Sequence, residues 1–165
     1  MNAAQLQPAL SLAPMTVAHL EAVLALEQQA YPFPWTRGNF IDSLAAGYMA
    51  EVLLDGGSLM AYYVAMHGVR ETHLLNITVE PRRWGEGHGR CLLDRVVARS
   101  RAMQGQTLWL EVRHSNLRAR TMYQRYGFTQ VGTRRGYYPA PQDQREDALV
   151  MSLPLVPEGG HDGLD

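Results

Sequence analysis

The stretch Asn76-Ile77-Thr78-Val79-Glu80-Pro81-Arg82-Arg83-Trp84-Gly85-Glu86-Gly87-His88-Gly89-Arg90-Cys91-Leu92-Leu93 decides the fold. A strand-like run from Thr72 to Val79 leads into it, and Leu92, Leu93, Val96 and Val97 carry it on as the stripe of an amphipathic helix ending near Gly105. Gly85, Gly87 and Gly89 lie between strand and helix. Glycine allows positive φ and close approach of the backbone to a ligand. The unpaired N–H groups and positive dipole end of a helix start suit a phosphate group. Taken alone, the glycines fit equally well a mobile turn with solvated arginines around it.

Two phosphate motifs fit this turn poorly. A P-loop ends in Gly-Lys-Ser/Thr, and all fifteen basic residues of this chain are arginine. A dinucleotide fingerprint needs G-x-G-x-x-G directly after its strand; here the spacing is G-x-G-x-G, with Pro81 to Trp84 intervening. Glu111, in a strand downstream, keeps that reading open. The third option is the pyrophosphate turn of a coenzyme A enzyme.

Working outward, Thr107 to Arg113 reads as a strand. Asn116 is placed to cap a helix carrying Ala119, Met122 and Tyr126 and stopping at Gly127. Phe128 to Arg135 and Ala148 to Leu153 are further strands. Upstream, Tyr48 to Leu54 and Ser58 to His67 flank Asp55-Gly56-Gly57, a hairpin signal. Thr16 is placed to cap a helix bearing Val17, Leu20, Val23 and Leu24, which the Pro32 to Pro34 segment ends. Thr36 reads as a second cap, with Trp35 and Phe40 as its hydrophobic staple. The first dozen residues carry little pattern. The order predicts an α/β fold: a mixed, mostly antiparallel central sheet flanked by helices, with one strand–helix–strand crossover. Residues 1–153 read as a single domain and 154–165 as a flexible polar tail.

The chain has 165 residues, a formal net charge of −1 and a single cysteine. That balance gives no global field for nucleic acid or an anionic membrane. One cysteine excludes an internal disulfide and a cysteine-based metal cluster, and no metal is expected. Cys91 lies in the apolar helical run, which predicts a buried, inert thiol. There is neither a span of about 18 apolar residues nor a secretory signal pattern, so the expected location is the cytoplasm. The sequence leaves the oligomeric state undefined.

From Asn76 to Met151 the chain resembles the GNAT acetyltransferases, and within them the bacterial RimI group. The matching stretches are Asn76 to Pro81, Gly87 to Leu93, Leu108-Trp109-Leu110-Glu111-Val112-Arg113, Ser115-Asn116, the Tyr-x-x-x-Gly-Phe pattern of Tyr123 to Phe128, Arg135-Gly136-Tyr137-Tyr138-Pro139 and Arg145 to Ala148. Phe33-Pro34-Trp35 also fits the family. One departure is plain: where the family loop has a polar or basic residue in Gln/Arg-x-x-Gly-x-Gly, this chain has Trp84 and Gly85, with Arg82 and Arg83 slightly earlier. The change bears on coenzyme affinity.

The resemblance implies acetyl transfer from acetyl-CoA to a protein amino terminus, in the RimI group the amino-terminal alanine of the small-subunit ribosomal protein S-eighteen. It implies coenzyme contacts from Ile77, Thr78, Val79, Gly85, Glu86, Gly87, His88, Gly89, Arg90 and Asn116. It makes Glu111 the base and Tyr123 the acid that protonates the departing thiolate. Phe33, Trp35, Tyr137 and Tyr138 become candidate walls for the acceptor peptide, with Arg135 to Pro139 ordering over it. The residues alone support plainer roles: an ion pair for Glu111, core packing for Tyr123 and the other aromatics, a cap for Asn116.

The chemistry is undemanding on the base. An α-amine has a pKa near 7.7–8.0, so roughly one in seven is already neutral at pH 7. Glu111, on the same strand face as Trp109 and Arg113, is expected to have its pKa raised by desolvation unless Arg113 counteracts this. Other activities remain to be weighed: acetylation of a small amine or a lysine, or coenzyme A binding without catalysis.

Overall fold

The computed structural model describes residues 10–155. Its strands are β1 (Leu10–Pro14), β2 (Met49–Asp55), β3 (Ser58–His67), β4 (Glu71–Val79), β5 (Thr107–Arg113), β6 (Thr129–Ala140) and β7 (Gln144–Pro154). The helices are α1 (Leu20–Ala30), α2 (Arg37–Ala45), α3 (His88–Ala102) and α4 (Leu117–Tyr126). Strand order is β1-β2-β3-β4-β5-β7-β6. β4 and β5 run parallel, joined through α3 as the crossover predicts; the pairs β1–β2, β2–β3, β5–β7 and β6–β7 are antiparallel.

The described residues form two compact units, 10–66 with 75–93 and 67–74 with 94–155. In the first, Leu20, Val23 and Leu26 of α1 pack with Phe40 of α2 and Val52, Tyr62 and Val64 of β2 and β3. Thr36 caps α2 by accepting from the Asn39 N–H at 3.2 Å, and the Trp35 and Phe40 rings stand 5.1 Å apart as the staple requires. Gly56 and Gly57 turn the β2–β3 hairpin with φ of 57° and 90°, the doubly positive pattern of a tight hairpin turn.

In the second unit β5 alternates, with Leu108, Leu110 and Val112 buried and Trp109, Glu111 and Arg113 half-buried. Asn116 caps α4, its Oδ1 accepting from the Ala119 N–H at 3.2 Å, and Gly127 stops the helix at a φ of 121° that glycine tolerates best.

Three expectations change. Leu10–Pro14, weakly patterned in sequence, is a strand because its backbone pairs with β2 over five positions. β7 runs past residue 153: Pro154 closes the strand, and Leu155 is buried, its N–H donated to the Gln106 carbonyl at 2.8 Å. The remainder of the expected tail lies outside the described residues. Cys91 is exposed. At about 100° per residue the stripe of Leu92, Leu93, Val96 and Val97 leaves position 91 on the opposite side of α3.

Candidate active site

The first unit builds the glycine turn. β4 ends at Val79, and Glu80 fastens to β3 through its N–H and the Met60 carbonyl, 2.9 Å apart. Gly85 and Gly87 then take φ of 86° and 89°. Beyond the adjoining residues, no atom of the described chain lies within 4 Å of the place a Cβ would occupy at either, so conformation rather than crowding calls for glycine. The first backbone bond of α3 runs from the Cys91 N–H to the Gly87 carbonyl at 3.1 Å, leaving the amides before it to be met by a ligand or solvent. His88 Nε2 lies 2.8 Å from Glu86 Oε2, and Arg90 is exposed in the first turn of α3.

Arg82 and Arg83, just ahead of the glycines, are already paired. Arg83 pairs with Asp55 at 2.7 Å and with Glu80 at 3.6 Å, and Arg82 pairs with Glu80 at 2.7 Å. Two acidic residues compete for them, and the backbone is left as the main anion donor. Trp84, the unusual loop residue, donates its indole N–H to the Val79 carbonyl at 2.9 Å.

The end of β4 is braced from behind. Tyr31 donates its hydroxyl to the Ile77 carbonyl at 2.9 Å and lies 2.8 Å from Thr78 Oγ1; Thr78 donates to Asn76 Oδ1 at 2.8 Å. Asn76 in turn donates to the Glu27 carboxylate at 3.1 and 3.2 Å. Glu27 is only 2% exposed and also accepts from the Trp35 N–H at 3.0 Å and from the Tyr62 hydroxyl. A buried carboxylate needs such company. Burial, then the Glu27 charge, pushes the Tyr62 phenol far above its ordinary value. Trp35 also lines an open cavity of about 340 Å³ with Asn39, Asp42, Ser43 and Tyr48, while Phe33 is 38% exposed.

The second unit holds the proposed acid and base. Glu111 Oε2 lies 2.5 Å from Nε2 of His73 on β4, and its Oε1 lies 3.4 Å from Nε of Arg134 on β6. The expected rise of the Glu111 pKa does not occur. The hydrogen bond from His73 lowers it, outweighing desolvation, and the His73 and Arg134 charges add to the lowering. Arg113 plays no such part: it binds Glu146 at 3.1 Å and the Pro139 carbonyl at 2.8 Å, and its guanidinium lies 4.5 Å from the Tyr138 ring centre.

Tyr123 is buried on α4 with its ring 5.6 Å from that of Phe128. Tyr137 and Tyr138 meet edge to face at 4.9 Å, and Arg134 stands over the Tyr137 ring. Burial first, and the Glu111 charge second, keeps the Tyr138 phenol protonated well above its usual range. Arg135 to Pro139 is already part of β6. The register slips there, Gly136 takes a φ of 58°, its N–H reaches Asp147 at 2.8 Å, and Arg145 binds the Gly136 and Tyr137 carbonyls.

The acetyltransferase (GNAT) family profile matches residues 20–128 of the chain. This protein belongs to the GNAT acetyltransferase family. Among GNAT enzymes it is 34% identical to the [ribosomal protein bS18]-alanine N-acetyltransferase of Escherichia coli K12 over 145 residues, 88% of this chain and 97% of that one. It is 35% identical to the Haemophilus influenzae enzyme of the same name over 82% of this chain and 92% of the other. The crystal structure of the Escherichia coli enzyme superposes with a TM-score of 0.82, covering 92% of this chain and 97% of that one.

Sequence reasoning missed Glu27, Tyr31, Tyr62, His73 and Arg134 around these sites. For Glu27 a signal existed: it stands seven residues after Leu20, on the apolar stripe of α1 where a charge is out of place. His73 shares a strand face with Ile77 and Val79, but its pairing with β5 spans a sequence separation that no local pattern encodes.

Proposed function

We propose that this GNAT enzyme transfers the acetyl group of acetyl-CoA to the α-amine of a protein amino terminus, with the amino-terminal alanine of ribosomal protein bS18 as its acceptor. The likeness to enzymes of that named activity over nearly nine-tenths of the chain carries the reading. The residue chemistry supports it. The free amides of Gly85 to Arg90 and the positive φ of Gly85 and Gly87 suit the coenzyme pyrophosphate. The end of β4, Ile77 to Val79, offers backbone groups to the pantetheine arm and the thioester, and Asn116 adds a polar contact.

Glu111 works on the proton-accepting side and Tyr123 on the proton-donating side. A tyrosine begins protonated, with a reference pKa near 10, and so can supply the thiolate with a proton. Phe33, Trp35, Tyr137 and Tyr138 contact the acceptor peptide. A release assay for free thiol, run on an alanine-initiated peptide and on the same peptide with a blocked terminus but a free lysine, tests the reading. Turnover is expected with the first alone; turnover with the second alone would replace it by side-chain acetylation.

A further inference from the structure

Glu27 stands on α1 at a position only 2% exposed. Among the described residues its carboxylate is met by neutral donors: the Trp35 N–H at 3.0 Å, the Asn76 amide at 3.1 and 3.2 Å, and the Tyr62 hydroxyl. A carboxylate taken out of water without a cation is costly, and a well-packed apolar side chain serves a core as well. Packing alone therefore gives no reason for the charge. Its partners do. Trp35 lies in the turn between α1 and α2, while Asn76 lies in β4, 49 residues beyond Glu27. Asn76 Oδ1 accepts from Thr78 at 2.8 Å, and Thr78 Oγ1 lies 2.8 Å from the Tyr31 hydroxyl. Tyr31 donates that hydroxyl to the Ile77 carbonyl at 2.9 Å, and its N–H to the Glu27 carbonyl at 3.1 Å. The network leaves α1 at Glu27, returns to it at Tyr31, and grips β4 at Asn76, Ile77 and Thr78 on the way.

We propose that Glu27 is a positioning residue for acetyl transfer, holding the turn at residues 31–35 and the end of β4 in one fixed register. The inference rests on the reading above, in which Phe33 and Trp35 meet the acceptor peptide and residues 77–79 meet the thioester arm. All of these residues belong to the first compact unit. One buried carboxylate thus joins the support of the acceptor to the support of the donor. Attack on a thioester needs the reacting atoms about 3–3.5 Å apart, and a misplacement of about 1 Å costs on the order of 10²-fold. A carboxylate suits the task because both its oxygens accept. Oε1 takes the Trp35 N–H, Oε2 takes the Tyr62 hydroxyl, and the Asn76 amide reaches both. Glutamine has one acceptor oxygen and sets an NH₂ group against these donors.

The test uses the full chain, acetyl-CoA and two peptides, one alanine-initiated and one with a blocked terminus and a free lysine. The peptide that wild type acetylates decides the functional reading. The variants are then compared on that same acceptor, so the reading and the inference fail separately. Glu27→Gln is expected to lower kcat/KM for the peptide by about 10²-fold, with a raised peptide KM. Acetyl-CoA affinity, measured by titration, is expected to stay unchanged, because the glycine turn is untouched. Val64→Ala, in the same core but outside the network, controls for lost stability and is expected to keep the wild-type peptide KM. Tyr31→Phe removes only a hydroxyl and carries the test should Glu27→Gln not fold; a loss of about fivefold in the same kcat/KM is expected. A folded variant within about twofold of wild type overturns the assignment. So does a fall in kcat alone that Val64→Ala reproduces, which marks a packing role. A readout independent of activity is hydrogen exchange at the Trp35 amide, expected to be slow in wild type and faster in Glu27→Gln. Equal exchange in the two overturns the link between the carboxylate and the turn.

Discussion

His73 Nε2 and Glu111 Oε2 lie 2.5 Å apart, joining the two parallel strands at the residue the family resemblance makes catalytic. The contact changes the chemistry expected of Glu111. Read from its strand alone, the carboxyl sits beside a tryptophan and an arginine; in the fold, the arginine belongs to Glu146 and a histidine from another strand holds the carboxylate. The expected rise of its pKa becomes a lowering.

That lowering has a consequence for stability. The folded pKa of Glu111 lies below the unfolded one, so its contribution is present above the ordinary carboxylate pKa and is lost as pH falls through the folded value. Thermal melts of wild type from pH 6 down to pH 3 are expected to lose more stability than those of Glu111→Gln, so that the two curves converge in acid. Parallel curves would remove the charge interaction from the account.

Tyr123→Phe is expected to lower turnover by about 10²–10⁴-fold while acetyl-CoA binding stays nearly intact, because only a proton donor is lost. Its edge contact with Phe128 survives the change. Steady-state kinetics beside a coenzyme titration separate the two effects, and an unchanged turnover number removes Tyr123 from the mechanism.

The Glu27 network predicts a different kind of defect. Tyr62→Phe deprives a buried carboxylate of one donor, at a cost of about 1–3 kcal/mol. Because the folded Tyr62 pKa is raised, its contribution is complete below the ordinary phenol value near 10 and is lost as pH rises beyond it. Urea denaturation at neutral pH checks the cost. A series above pH 9.5 checks the sign, with the variant's curve flatter than that of wild type.

Gly87→Ala forces an alanine to a φ of 89°, which costs about 1–2 kcal/mol or a rearranged turn. With no atom crowding the added methyl, the fold survives. Acetyl-CoA affinity is expected to drop while the peptide KM stays put; isothermal titration with the coenzyme measures it.

Much of the architecture was legible because local rules carried it. The Gly56-Gly57 hairpin, the Thr36 cap with its Trp35–Phe40 staple, and the bounds of β5 all follow from short-range pattern. β1 was not, because Leu10–Pro14 is a strand by virtue of its partner in β2 rather than of its own residues. The glycine turn was readable, but the destination of Arg82 and Arg83 was not, since Asp55 lies 28 residues from Arg83. The same limit hid His73: the alternation of β4 and β5 assigns each residue a face, and only the register says which ones meet.

The most direct measurement is tandem mass spectrometry of ribosomal protein bS18 after incubation with the enzyme and acetyl-CoA. One acetyl group on the α-nitrogen of the first alanine is the predicted result. An unmodified amino terminus, or acetyl groups confined to lysine side chains, contradicts the proposed activity.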